Sequence, residues 1–183
     1  FGSSVVAAFT AASKVESLAT QTMPTLGTTM STYCGQNLGA KEYKRIFDGM
    51  KKAFLLVLAI SLFGAVVTVG FGRYIVCLFL SNPSDTVLEY TTSYLNTISW
   101  FFVPLAMIFL YRSSLQGLGE NFVPVMSGVL ELIFRFLVIF FCLEPFGYAA
   151  VRYANPAAWA GAGIPLFATY LLWKRKAKRL DNA

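Results

Sequence analysis

Residues 125–142, VMSGVLELIFRFLVIFFC, decide how the rest of the chain is read. A bilayer is crossed by about 20 mostly apolar residues, and this stretch is apolar enough to do it. Yet it carries Glu131 and Arg135 near its middle. An ionised side chain at the centre of a spanning helix costs roughly 2.5–3.5 kcal/mol even on the insertion scale. Two are kept together only where they face a partner or a polar cavity. Glu131 and Arg135 are four apart, so they share a helix face, with the acid on the favourable N-terminal side.

The whole chain agrees with a membrane setting. Its 183 residues are 56% hydrophobic and 13% charged, without histidine, and mean hydropathy is +0.60. Soluble domains carry about 25% charged residues. The composition is that of an all-α integral membrane protein. Cys34, Cys77 and Cys142 are scattered through apolar text and read as core thiols. No nucleophile–base or paired-acid constellation exists, so no catalytic residue, metal or cofactor is expected and an intramembrane enzyme is disfavoured. Phe1 stands first with no basic n-region before the apolar text. The expectation is a fragment without a signal peptide.

Working outward, five segments qualify as spans, at about 5–33, 53–80, 94–115, 122–143 and 157–173. The first is rich in Ala, Thr, Ser and Gly, which lets helices pack closely, so it is expected inside the bundle. Lys14, Thr10, Ser17 and Gln21 form a stripe at helical spacing that either lines a cavity or packs against other helices. Lys14 and Glu16 are two apart and cannot pair on one face. Pro24 with Gly27 predicts a kink, and Pro104 a further bending point. Residues 35–52 read as a polar turn and a short amphipathic helix. The second span is expected to be interrupted at Gly70, Gly72 and Arg73. Residues 81–85, SNPSD, form a turn with Ser84 or Asp85 as helix cap. Residues 117–121 form a tight turn and 144–156 a longer loop. Trp100, Trp159 and Trp173 lie near proposed helix ends, as interfacial anchors do. The Q-x-L-G echo of Gln36–Gly39 and Gln116–Gly119 is too short to establish a repeat.

Lys and Arg in the connections set the orientation. Lys41, Lys44, Arg45, Lys51, Lys52, Lys174, Arg175, Lys176, Lys178 and Arg179 fall on one side; Arg73 and Arg152, with Asp85, Glu89 and Glu144, fall on the other. The lysine-rich side, with the C-terminus, is expected in the cytosol of a multi-pass protein of the cytoplasmic (inner) membrane. The basic runs then act as topology determinants and contacts for the lipid bilayer. Nothing pairs aromatics with base-reading geometry, so no nucleic acid is expected. The turn at Gly117–Glu120 is too short for a phosphate loop.

Helix tilt adds a third residue to the charged pair. Arg112 precedes the 117–121 turn, and side chains lean toward the N-terminus of their own helix. Arg112 and Arg135 therefore approach Glu131 from opposite sides, giving one carboxylate between two guanidiniums. Such a network either locks helix register, takes part in coupling or gating, or touches substrate. Phe, Tyr and Met, 17, 9 and 5 in number, could supply an adaptable apolar surface for a small-molecule substrate.

The ordered set of features resembles one family. Residues 3–19, SSVVAAFTAASKVESLA, then Gly35-Gln36-Asn37-Leu38-Gly39-Ala40 and a basic amphipathic stretch, resemble the eighth helix and following loop of the MATE multidrug and toxin extrusion transporters. Leu115–Gly119 with Glu131 and Arg135 resembles the tenth and eleventh helices of one bacterial subgroup, and Asn155–Trp159 the start of the twelfth. The resemblance implies five helices of a six-helix lobe, half of a twelve-helix, two-lobe antiporter, with Phe1–Ser4 the tail of helix seven. It implies the N-terminal lobe of the same protein as partner, and export of cationic or amphiphilic small molecules by alternating access coupled to Na+ or H+. Many sodium-coupled relatives carry an acid within helix ten, where this chain has about Leu105. The ion site of those relatives therefore does not carry over. A lipid-linked precursor flippase of the related superfamily and a non-transporting membrane subunit are the rival readings.

Overall fold

The computed structural model describes residues 3–79 and 83–181. Its seven helices are α1 (Ser3–Thr20), α2 (Thr22–Gly39), α3 (Tyr43–Phe79), α4 (Asp85–Ser99), α5 (Phe102–Gly117), α6 (Phe122–Phe146) and α7 (Tyr148–Asp181), with no strand among the described residues. Lipid offers no partner to a free N–H or C=O, so a helix that bonds internally is the state a chain of this composition adopts. The fold is all-α and membrane-type. α3 and α6 are each long and apolar enough to span, and α4 with α5 passes as one span bent by 53°. α1, α2 and α7, rich in Ala, Ser, Thr, Gly or Pro, fall short of that apolarity.

Both breaks have the same cause. Proline has no N–H to return to the carbonyl four residues earlier. Pro24 therefore leaves Thr20 unpaired, and the helix breaks at Gln21; Pro104 leaves Trp100 unpaired, and the helix breaks at Trp100–Phe101. The bends expected at Pro24 and Pro104 thus fall one turn earlier. Gly27, expected as part of a hinge, is instead a packing contact. A Cβ there would lie 2.8 Å from Ser113 Oγ and 2.9 Å from the Phe109 carbonyl oxygen.

That contact belongs to a close helix–helix interface. α2 lies along α5, and Gly27, Ser31 and Gly35 face Ser113 and Gly117 at four-residue steps. A Cβ on Gly117 would come within 2.1 Å of the Ser31 carbonyl oxygen, and one on Gly35 within 3.2 Å of that of Gly117. Small residues at this spacing let backbones approach where the hydrophobic effect gives no help. α1 lies along α4 in the same way. Gly64 of α3 sits beside both breaks, its Cβ position 3.3 Å from the Ala19 carbonyl oxygen and 3.7 Å from the Phe102 ring. The two bends therefore occur at one level. Tyr94, Leu95, Ile98, Phe102, Leu110 and Leu115 of α4 and α5 are fully buried and form the centre of the core.

Several connections are more helical than their composition suggests. α3 runs unbroken through Gly70, Gly72 and Arg73; a Cβ on Gly72 would meet Leu95 at 2.9 Å. Its 37 residues span roughly 55 Å, so it takes in most of the amphipathic stretch as well as the span. The turn expected at 35–39 is the end of α2, and the chain reverses at Ala40–Glu42, where Lys41 has φ 58°. The loop expected at 144–156 shrinks to Gly147, and α7 continues through Pro156 and Pro165. Ser84 caps α4 through Val87 N–H at 3.4 Å, while Leu80 and residues 81–82 lie outside the described residues, as do Phe1 and Gly2. Trp159, expected as an interfacial anchor, is buried in the core. Cys77, expected in the core, is exposed.

Candidate functional site

The charged residues of residues 125–142 do not form the expected three-membered network. Arg112 of α5 forms an ion pair with Glu131 of α6, and its Nε donates to Ser127 Oγ at 3.0 Å. Ser127 in turn donates to the Pro124 carbonyl at 2.7 Å. Arg135 is exposed and makes no ion pair among the described residues. The reason is local. α6 packs chiefly along α7, where the Phe134 ring covers Gly161, and Arg135, the next residue, points away from that seam. The helix tilt that brings Arg112 to Glu131 does not bring Arg135 back to the same carboxylate. The pair is electrically closed, one acid to one base.

A second cluster was not legible from spacing. Tyr94 Oη, fully buried on α4, donates to Glu16 Oε2 of α1 at 2.9 Å and accepts from Asn155 Nδ2 of α7 at 3.0 Å. Three helices thus meet at one half-buried carboxylate. Glu16 has no ion-pair partner within 4.0 Å among the described residues. One turn nearer the start of α7, Arg152 bonds Ser93 Oγ and lies over the Tyr148 ring, and Tyr148 Oη donates to the Tyr90 carbonyl at 3.0 Å.

The predicted stripe on α1 is brought together. Lys14, Ser17 and Gln21, with Thr10, Ser13 and Phe79, line an open groove of about 510 Å³. Lys14 Nζ sits 5.5 Å from the centre of the Phe79 ring rather than beside an acid. The stripe continues past the break: Thr10, Lys14, Ser17, Gln21, Thr25, Thr28 and Thr32 are all exposed. Their spacing of three and four keeps them on one face. Thr10, Ser17, Thr28 and Thr32 donate to carbonyls of their own helix, so the hydroxyl lone pairs point outward with their hydrogens satisfied. The exposed faces of α3 and α6, by contrast, carry large apolar side chains such as Leu62, Phe63, Leu132 and Phe136. Leu105 is buried apolar core.

Comparison with known proteins agrees with this arrangement. The family model described as MatE matches residues 1–141. The probable multidrug resistance protein YpnP of Bacillus subtilis (strain 168) is 26% identical over 119 residues, which is 65% of this chain and 26% of that protein. The match thus spans about a quarter of the relative's length. With the family model covering well over half of the residues, from the polar helix α1 through the charged helix α6, the chain belongs to the MatE family.

Proposed function

We propose that this chain supplies one lobe of a secondary efflux transporter for cationic or amphiphilic small molecules, driven by coupled Na+ or H+ movement through alternating access. The observation that carries the reading is the exposed polar face of α1 and α2. A stripe of hydroxyl, amide and amine groups is not stable against hydrocarbon, so it faces a water-filled path or a second lobe, while the apolar faces of α3 and α6 meet lipid. Glu16 borders that polar side as a carboxylate held by one neutral donor, the Tyr94 hydroxyl, which Asn155 supports in turn. It is the coupling group in this reading. Arg112–Glu131, already neutral, holds α5 to α6. The protein sits multi-pass in the cytoplasmic membrane with its lysine-rich end in the cytosol, and the partner lobe comes from the rest of the protein. Transporters of this kind place substrate and coupling ion between repeats that rock against each other.

The test is efflux of a fluorescent cationic dye by vesicles holding the full-length protein, under an imposed Na+ or H+ gradient. Gradient-driven dye movement that Glu16→Gln abolishes, with protein level unchanged, supports the reading. Exposed Arg135 and Lys14 favour a second one, movement of a lipid-linked pyrophosphate. Translocation of such a lipid with no dye movement would select it, and neither activity in the full-length protein would leave a non-transporting membrane subunit.

A further inference from the structure

A groove opens on the side of α5 away from α2, between α3 and α7. Its wider part, about 540 Å³, is lined by Met50, Phe54, Met107, Tyr111 and Tyr170, with Lys51 and Lys174 at its lysine-rich end. It continues into a second stretch of about 450 Å³ past Ile108, Trp159 and Ile164, and the two share Met107, Tyr111 and Phe167. The floor is fixed by ring packing: Tyr111 meets Phe167 edge-on at 5.4 Å and lies tilted on Tyr170 at 5.1 Å. The lining includes exposed Leu55 and Ile164, so the groove faces hydrocarbon. It is largely apolar along its length and cationic at one end. Lys174 Nζ is placed 5.9 Å from the Phe47 ring, and Lys51 has only a surface contact with Asp48 at 3.7 Å, which holds it weakly.

The length matches as well. From residue 174 to residue 163, α7 rises roughly 16 Å, about the depth of one leaflet of a ~30 Å hydrocarbon core. We propose that this groove binds one anionic phospholipid, its phosphate between Lys51 and Lys174 and an acyl chain along Tyr111, Phe167 and Ile108. Charge complementarity selects the occupant: a zwitterionic lipid offers the lysines no net charge, and a soluble anion has no use for the apolar length. Gly163 lies at the deep end, where a Cβ would meet Ile108 at an ordinary 3.6 Å. A larger residue there shortens the groove without touching its head.

The experiment is native mass spectrometry of the full-length purified protein titrated with phosphatidylglycerol or phosphatidylcholine of identical chains. One phosphatidylglycerol should be retained well above phosphatidylcholine. Lys51→Ala with Lys174→Ala should weaken it roughly thirtyfold, as two lysines acting on one phosphate imply. Lys41→Ala with Lys44→Ala, which removes the same charge from the same end but off the groove, should leave it unchanged. Gly163→Leu should weaken a sixteen-carbon lipid and spare a six-carbon one, with circular dichroism confirming folded helix throughout. Equal retention of the two headgroups overturns the proposal. So does equal loss from both lysine pairs, which describes a diffuse basic surface, and so does full displacement by inorganic phosphate.

Discussion

Two half-buried carboxylates lie among the described helices, and the molecule treats them in opposite ways. Glu131 is bonded by a guanidinium that also holds Ser127, so its charge is cancelled on the spot. Glu16 is held by a tyrosine hydroxyl that an asparagine supports, so its charge is oriented but not cancelled. The first arrangement suits a fixed joint between two helices. The second suits a group whose charge is meant to change or to be shared with a visitor. Charge within a membrane is therefore uninformative until its compensation is known.

The sharpest way to break the contrast is to remove Glu131. With its side chain cut to alanine, Arg112 keeps only Ser127 in a partly buried setting, and stripping one partner from such a pair costs about 3–5 kcal/mol. Unfolding of the full-length protein in mixed micelles reads this as a loss of stability. The double change Arg112→Met with Glu131→Leu should return to within about 1–2 kcal/mol of the parent, because no lone charge remains. Tyr94→Phe removes two hydrogen bonds from the other cluster and should cost roughly 0.6–1.7 kcal/mol, the range found between membrane helices. Glu16→Gln keeps an acceptor for Tyr94 and should change stability by less than about 1 kcal/mol, while abolishing gradient-driven efflux. Lys14→Gln on the open stripe should leave stability unmoved and alter only dye preference. If Glu16→Gln destabilised as much as Glu131→Ala, both carboxylates would be structural and the contrast would vanish.

How far the sequence could go is clearest at these same residues. Arg112 and Glu131 were legible because a tight turn at 117–121 fixes the register of the two helices that flank it, and helix tilt then decides which depth each side chain reaches. Arg135 was misplaced because the rotation of α6 is set by its seam with α7, a contact between Phe134 and Gly161 that no local pattern announces. Glu16, Tyr94 and Asn155 come from helices separated by 78 and 61 residues, and only packing brings them together. The interruption expected at Gly70, Gly72 and Arg73 and the loop expected at 144–156 failed for another reason. Gly and Pro mark turns in water, where a broken helix is solvated, but a helix among other helices can stay helical through them, losing at a proline only the bond its missing N–H would have made.

Gly64 has a consequence for how this sequence could change over time. It touches the chain at Ala19 and at Phe102, just beside the two proline-made breaks. An added methyl at residue 64 meets an already tight 3.3 Å approach to the Ala19 carbonyl oxygen and ordinary 3.7 Å contact with the Phe102 ring, so any larger side chain there reaches both breaks. Residues 19, 64 and 102 are thus expected to vary as a set among related chains, although 83 positions separate the outer two. A drift in one that the others do not follow would disturb the packing beside both breaks at once.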